Sequence, residues 1–152
     1  MAIDKKATLT YVQLMKEDLA VFRLVPEDGI IPDYEAGQFI TVGMPIPSED
    51  NKVVRRAYSM ASHPENKKFI ELVVRWVRRP LPGRVTTALF NSGEGDEVSW
   101  IPPTGVALKI NEKMGDGTKD DRRIVCVSGG TGIAPFMSFA RHLRAIGDKR
   151  EI

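Results

Sequence analysis

Arg56-Ala57-Tyr58-Ser59-Met60-Ala61-Ser62 is the stretch around which the chain is organised. As a strand it sends Arg56, Tyr58 and Met60 to one side and Ala57 and Ser59 to the other. A strand that only filled a core would not gather a cation, an aromatic ring and two hydroxyls. A flat polar ligand lying against it accounts for the mixture. The plainer alternative makes Tyr58 an ordinary strand tyrosine with its hydroxyl in water, and Arg56 beside Arg55 a solvated edge.

Outward from this stretch the chain reads as short strands separated by turn chemistry. Residues 7–14 and 19–25 alternate and are rich in β-branched side chains, with a polar turn at 16–18, so a hairpin is predicted. Pro26-Glu27-Asp28-Gly29 is a turn. A third strand is expected over 37–42, an exposed proline-bearing loop over 44–51, and a fourth strand over 53–60. Residues 69–77 (F-I-E-L-V-V-R-W-V) give the strongest strand signal. Pro80-Leu81-Pro82-Gly83-Arg84 is a rigid connection into a two-turn helix over 85–91. Another strand, 96–101, is expected to stop at Pro102-Pro103, with a brief one at 106–110 and a polar loop at 111–121. The architecture expected is mainly β: an antiparallel Greek-key barrel with one short capping helix.

The pattern changes at Arg122. Residues 123–128 (R-I-V-C-V-S) read as a strand of the buried kind. Gly129-Gly130-Thr131-Gly132 follows, then helical spacing at Phe136, Phe139, Leu143 and Ile146, closed by Gly147. This is the opening of an α/β unit. The expected division is residues 1–120 as a barrel domain and 121–152 as the incomplete start of a nucleotide-binding domain. A lone βα unit cannot make its own sheet. Ile124, Val125, Val127, Phe136 and Phe139 are therefore expected to stay partly exposed unless they pack on the barrel or on a partner.

The bulk properties exclude several classes. The 152 residues are 42% hydrophobic and 28% charged, as in an ordinary globular protein. A net charge of +2 gives no ground for nucleic-acid binding. One cysteine, Cys126, excludes an internal disulfide, and it is expected to be a small core residue. No apolar run is long enough for a membrane span and no signal peptide is present, so a cytoplasmic location is expected. No metal site is expected: 116–121 lacks the ligand spacing of a calcium loop. His63 and His142 are given no catalytic role.

The glycine turn lies where such folds bind phosphates, at a helix N-terminus after a buried strand. Pro135 replaces the last glycine of the dinucleotide fingerprint, so a tight turn without a ligand remains open on this motif alone.

Several motifs in order change this. Ala36-Gly37-Gln38-Phe39, Arg56-Ala57-Tyr58-Ser59, Gly83-Arg84-Val85-Thr86, Gly95-Asp96-Glu97-Val98, Pro103-Thr104-Gly105 and Gly129-Gly130-Thr131-Gly132-Ile133-Ala134-Pro135-Phe136 together resemble the ferredoxin–NADP(+) reductase superfamily. Within it, R-A-Y-S and P-T-G look most like bacterial ferredoxin or flavodoxin reductases.

The resemblance implies FAD as cofactor and NADP(H) or NAD(H) as cosubstrate. It places Arg56 on the FAD pyrophosphate, Tyr58 on the flavin ring and Ser59 beside flavin N5, with Ala57 in the same strand. Val73, Val74 and Arg75 would line the cofactor by their backbone. Gly83, Val85 and Thr86 would receive phosphate, the last through its hydroxyl. Thr131 would meet flavin and nicotinamide, with Gly130 and Gly132 giving room to the dinucleotide. The implied function is electron transfer between NADP(H) and a ferredoxin or flavodoxin through FAD.

Two alternatives stand beside it. One is a non-catalytic FAD-binding module. The other is an NADH-dependent reductase component of an oxygenase system. Arg75, Arg78, Arg79 and Arg84, with Lys67 and Lys68, could dock an acidic partner or simply form a solvated surface. A complete reductase of this kind needs roughly 100 residues more for its second domain. The chain is therefore expected to be a truncated form that holds FAD but has little NADPH-dependent activity.

Overall fold

The computed structural model of the chain describes residues 4–104 and 108–152. Six strands form one antiparallel sheet: β1 (Lys5–Lys16), β2 (Leu19–Pro26), β3 (Phe39–Ile46), β4 (Lys52–Ser59), β5 (Ile70–Arg75) and β6 (Glu97–Thr104). Their order is β4-β3-β6-β1-β2-β5. The last strand inserts between β3 and β1, which gives the expected Greek-key arrangement. Helix α1 (Arg84–Phe90) precedes β6, and α2 (Ala134–Ile146) follows a 3₁₀ turn at Gly130–Ile133.

The core follows the two-residue strand period. Ala20, Phe22 and Leu24 of β2 point inward, as do Ile70, Leu72 and Val74 of β5. They meet Ile40, Val42, Met60 and the fully buried Trp100. Each such large side chain contributes about 1.5–3 kcal/mol by leaving water. Helix α1 closes the barrel with Val85 and Leu89, one turn apart on its buried face. Outside it, Phe90 stacks on Trp76 and sets its edge against Phe22, with centroids 5.4 and 5.7 Å apart.

The prolines did not end strands where expected. β3 runs through Pro45 to Ile46, because at that end it pairs only with β4 and one side of the strand carries no ladder. β6 runs through Pro102 and Pro103. There it has left β1, and an irregularity in its register with β3 absorbs the extra residue. The strand expected over 69–77 ends at Arg75, since its partner β2 begins at Leu19. Residues 108–110 lie in no strand, and 105–107 fall outside the described residues.

The expected buried strand over 123–128 is not formed. Val125 and Val127 are 77% and 85% exposed, and Cys126 is only half-buried rather than in the core. Ile124 donates to the Glu151 carbonyl at 2.9 Å, but among the described residues no neighbouring strand covers either face. Phe139, in contrast, is buried. Helix α2 therefore packs on the barrel while the segment before it does not.

Candidate functional site

The strand order makes β4 and β5 the two edges of the sheet. They approach each other where Met60 and Leu72 form an isolated antiparallel bridge and the Ala61 N–H donates to the Glu71 carbonyl at 2.8 Å. Towards the start of β4 the edges part. The opening is a cleft of about 650 Å³, within the usual range for ligand sites.

Arg56, Ala57, Tyr58 and Ser59 line it from β4, and Val73, Val74 and Arg75 from β5. Both alternating faces of β4 reach the cleft because an edge strand presents its backbone as well as its side chains. Gly83, Val85 and Thr86 enter from the start of α1, and Thr131 and Gly132 from the glycine turn. Gly130 lies beside the cleft; a Cβ on it would stand 3.9 Å from Arg75 Nη1. The residues singled out in four separate stretches of sequence thus meet at one place.

The polar groups of the cleft are unevenly satisfied. The Tyr58 hydroxyl is buried and has no hydrogen-bond partner among the described residues. It is not in water, as the plainer reading of the sequence had it. Burial pushes its pKa up to about 12, against the opposing pull of the Arg56 charge, so it is a neutral donor. An orphaned buried hydroxyl costs about 1–3 kcal/mol.

Arg56 is exposed, donates Nη1 to the Arg55 carbonyl at 2.8 Å, and has no carboxylate partner among the described residues. The Ser59 hydroxyl makes no hydrogen bond among them. Thr86 behaves differently. Its Oγ1 donates to the Gly83 carbonyl at 3.1 Å and accepts from the Val77 N–H at 3.4 Å, so it braces the start of α1. Gly83 is required there, since a Cβ would lie 2.6 Å from that oxygen.

Sequence reasoning missed Val77 and Ala134 as lining residues and took Arg84 as surface charge. Arg84 Nη1 is instead held by both oxygens of Glu49 at 2.9 Å. The rest of the basic run is also largely paired: Arg75 with Asp18, Arg78 with Glu17 and Lys67 with Asp33. Nothing local in the sequence marked these acidic partners. His63 and His142 both bring Nδ1 to the Glu65 carboxylate, at 2.9 and 2.7 Å, and stand away from the cleft. No group of acidic, histidine or cysteine side chains among the described residues could hold a metal ion. None of the described helices is long and apolar enough to cross a membrane.

Residues 6–107 match the family model of the oxidoreductase FAD-binding domain. The chain belongs to that family, and with it to the ferredoxin–NADP(+) reductase superfamily. It is 32% identical over 137 residues to a flavohemoprotein of Bordetella pertussis, covering 89% of this chain and 32% of that protein. It is also 32% identical over 140 residues to the reductase component 1 of a terephthalate 1,2-dioxygenase from Comamonas sp, covering 91% and 37%. Among solved structures, a cytochrome P450 reductase of Amycolatopsis superposes with a TM-score of 0.75 at 29% identity, over 97% of this chain and 40% of that one. The chain spans about a third of the length of these curated relatives.

The residues present fit the family's cofactor. A buried donor without a partner and a cation without a counter-ion among the described residues face one cleft, and Gly132 lines it with nothing closer than 3.8 Å to where a Cβ would stand.

Proposed function

We propose that the protein is a flavin-dependent oxidoreductase of the ferredoxin–NADP(+) reductase type. FAD would lie in the seam between β4 and β5. The observation that carries this is the buried Tyr58 hydroxyl, without a hydrogen-bond partner among the described residues, in a cleft it shares with Arg56, which has no carboxylate partner among them.

Arg56 would hold the pyrophosphate, for which a guanidinium fork is suited. Tyr58 would lie against the flavin ring and donate its hydroxyl. Ser59, with its hydroxyl unengaged, would stand beside flavin N5. The open edges at 57–59 and 73–75 offer backbone donors and acceptors, and α1 brings Gly83, Val85 and Thr86 to the phosphates. FAD, when bound, accepts a hydride from a nicotinamide nucleotide and passes its electrons on singly. Thr131, with Gly130 and Gly132, would meet the nicotinamide nucleotide, NADP(H) or NAD(H), at the mouth of the cleft. Residues 1–120 would then be the FAD-binding unit and 121–152 the opening of the nicotinamide-binding one.

A cytoplasmic ferredoxin or flavodoxin is the electron partner implied by the sequence motifs. The second reading, a reductase component of an oxygenase system, is supported by the name of the terephthalate 1,2-dioxygenase relative.

The test is uptake of FAD by the purified chain, followed by visible absorption and flavin fluorescence. Binding with quenched fluorescence is expected, and Tyr58→Ala should weaken both. A chain that stays colourless in excess FAD would overturn the reading.

A further inference from the structure

Beside the burial of Phe139 and Leu143 and the His142–Glu65 contact, helix α2 is fastened to the barrel by a buried carboxylate. The Glu71 side chain on β5 is only 4% exposed. Its Oε2 accepts from Arg23 Nε at 2.8 Å and its Oε1 from Arg141 Nη1 of α2 at 2.6 Å. The same Arg141 nitrogen donates to the Ala61 carbonyl at 2.7 Å.

Ala61 and Glu71 are themselves joined across the seam by the Ala61 N–H. One guanidinium nitrogen thus spans the closed end of the seam, one residue pair beyond the Met60–Leu72 bridge that borders the cleft. At the other end of α2, Ala134 lines the cleft and leads back into Thr131 and Gly132. Arg141 and Ala134 are two helical turns apart, about 10 Å along a rigid rod.

We propose that Arg141 and Glu71 are a positioning pair that couples occupation of the cleft to the seating of α2. When a ligand orders the separated edges of β4 and β5, the closed end of the seam is held in register. Arg141 then has both of its acceptors in place. When α2 is seated, the glycine turn is held at a set depth over the cleft. The two halves of the site are linked energetically, and the linkage is reciprocal. This rests on the proposed FAD site.

The test is amide hydrogen exchange of residues 139–146, the part of α2 that does not line the cleft, with and without FAD in the full chain. In the parent protein FAD is expected to slow exchange there about tenfold, a typical coupling. Arg141→Met leaves Glu71 paired with Arg23, so the barrel should still fold. It is expected to speed exchange in 139–146 without FAD and to remove the effect of FAD on it. Arg141→Lys, which can place one nitrogen between the same two acceptors, is expected to restore the effect.

The coupling is overturned if FAD binds the parent protein without slowing exchange in 139–146. It is equally overturned if the slowing persists in Arg141→Met, or if that variant exchanges like the parent without FAD. A parent chain that takes up no FAD overturns the proposed cofactor instead. The comparison without FAD still decides whether Arg141 seats the helix.

Discussion

Met60 and Leu72 form an isolated bridge between the two edge strands, and the cleft opens at the next pair outward, Ser59 and Val73. The site is therefore the unclosed part of the barrel itself. Backbone groups that a closed barrel would use against each other are left facing the cleft. The side chains that suit a flat, charged ligand lie along that opening.

Arg56 should matter for affinity far more than for folding. It is exposed and has no carboxylate partner among the described residues, so Arg56→Gln should leave thermal stability within about 0.5 kcal/mol. A charge-assisted bond contributes about 1.5–3 kcal/mol, so FAD affinity should fall roughly 10- to 100-fold. A fluorescence titration measures it; an unchanged Kd would remove Arg56 from the site.

Tyr58→Phe should act with opposite sign on the two states. Without FAD it removes a buried hydroxyl that has no partner among the described residues, so stability should rise by about 1 kcal/mol. With FAD it removes a donor, and affinity should fall severalfold. Because the hydroxyl titrates only near pH 12, FAD binding should show no tyrosine ionisation below about pH 11. Melting curves with and without FAD test the pair of signs.

Gly37 carries a demand that its place in a motif did not explain. Its φ is +90°, and a Cβ there would stand 2.4 Å from the Leu108 carbonyl oxygen and 2.8 Å from the Phe139 ring. Gly37→Ala should cost at least 2 kcal/mol and loosen α2. Gly93→Ala is the control, since a Cβ at Gly93 meets nothing within 4 Å. Equal melting temperatures for the two variants would contradict the packing.

Acid should weaken the α2 attachment through Glu71. Burial raises its pKa, but the bonds from Arg141 and Arg23 outweigh that and hold it below the ordinary carboxylate value. A depressed folded-state pKa adds stability above the unfolded value, about 4.3, and that stability is lost as pH falls through the folded one. Thermal stability should therefore drop below about pH 4. Glu71→Gln should be less stable at pH 7 and should flatten that drop by at most about 1.4 kcal/mol per pH unit. An unaltered acid slope in the variant would show that Glu71 does not titrate there.

Most of the barrel was legible because its strands obey a two-residue period and its turns use glycine and proline in ordinary ways. The errors fall where pairing overrode local signals. Pro45, Pro102 and Pro103 were read as breaks, yet each sits where a strand lacks a neighbour or changes register. The apolar run at 123–128 was read as buried, yet burial needs flanking strands, and the described sheet offers it none.

The sequence by itself determined most of the barrel's strand pattern, the capping helix, the glycine turn and the identities of most of the residues that line the cleft. These depend on side-chain period and local backbone preference, which neighbouring residues settle among themselves. Only the tertiary structure decided that Arg56–Ser59 and Val73–Arg75 face each other across an open seam. It alone showed that the Tyr58 hydroxyl is left without a partner among the described residues, and that Glu71 joins Arg23 and Arg141. Those relations span 48 and 70 positions of the chain for the two Glu71 bonds, and no local propensity carries information across such separations.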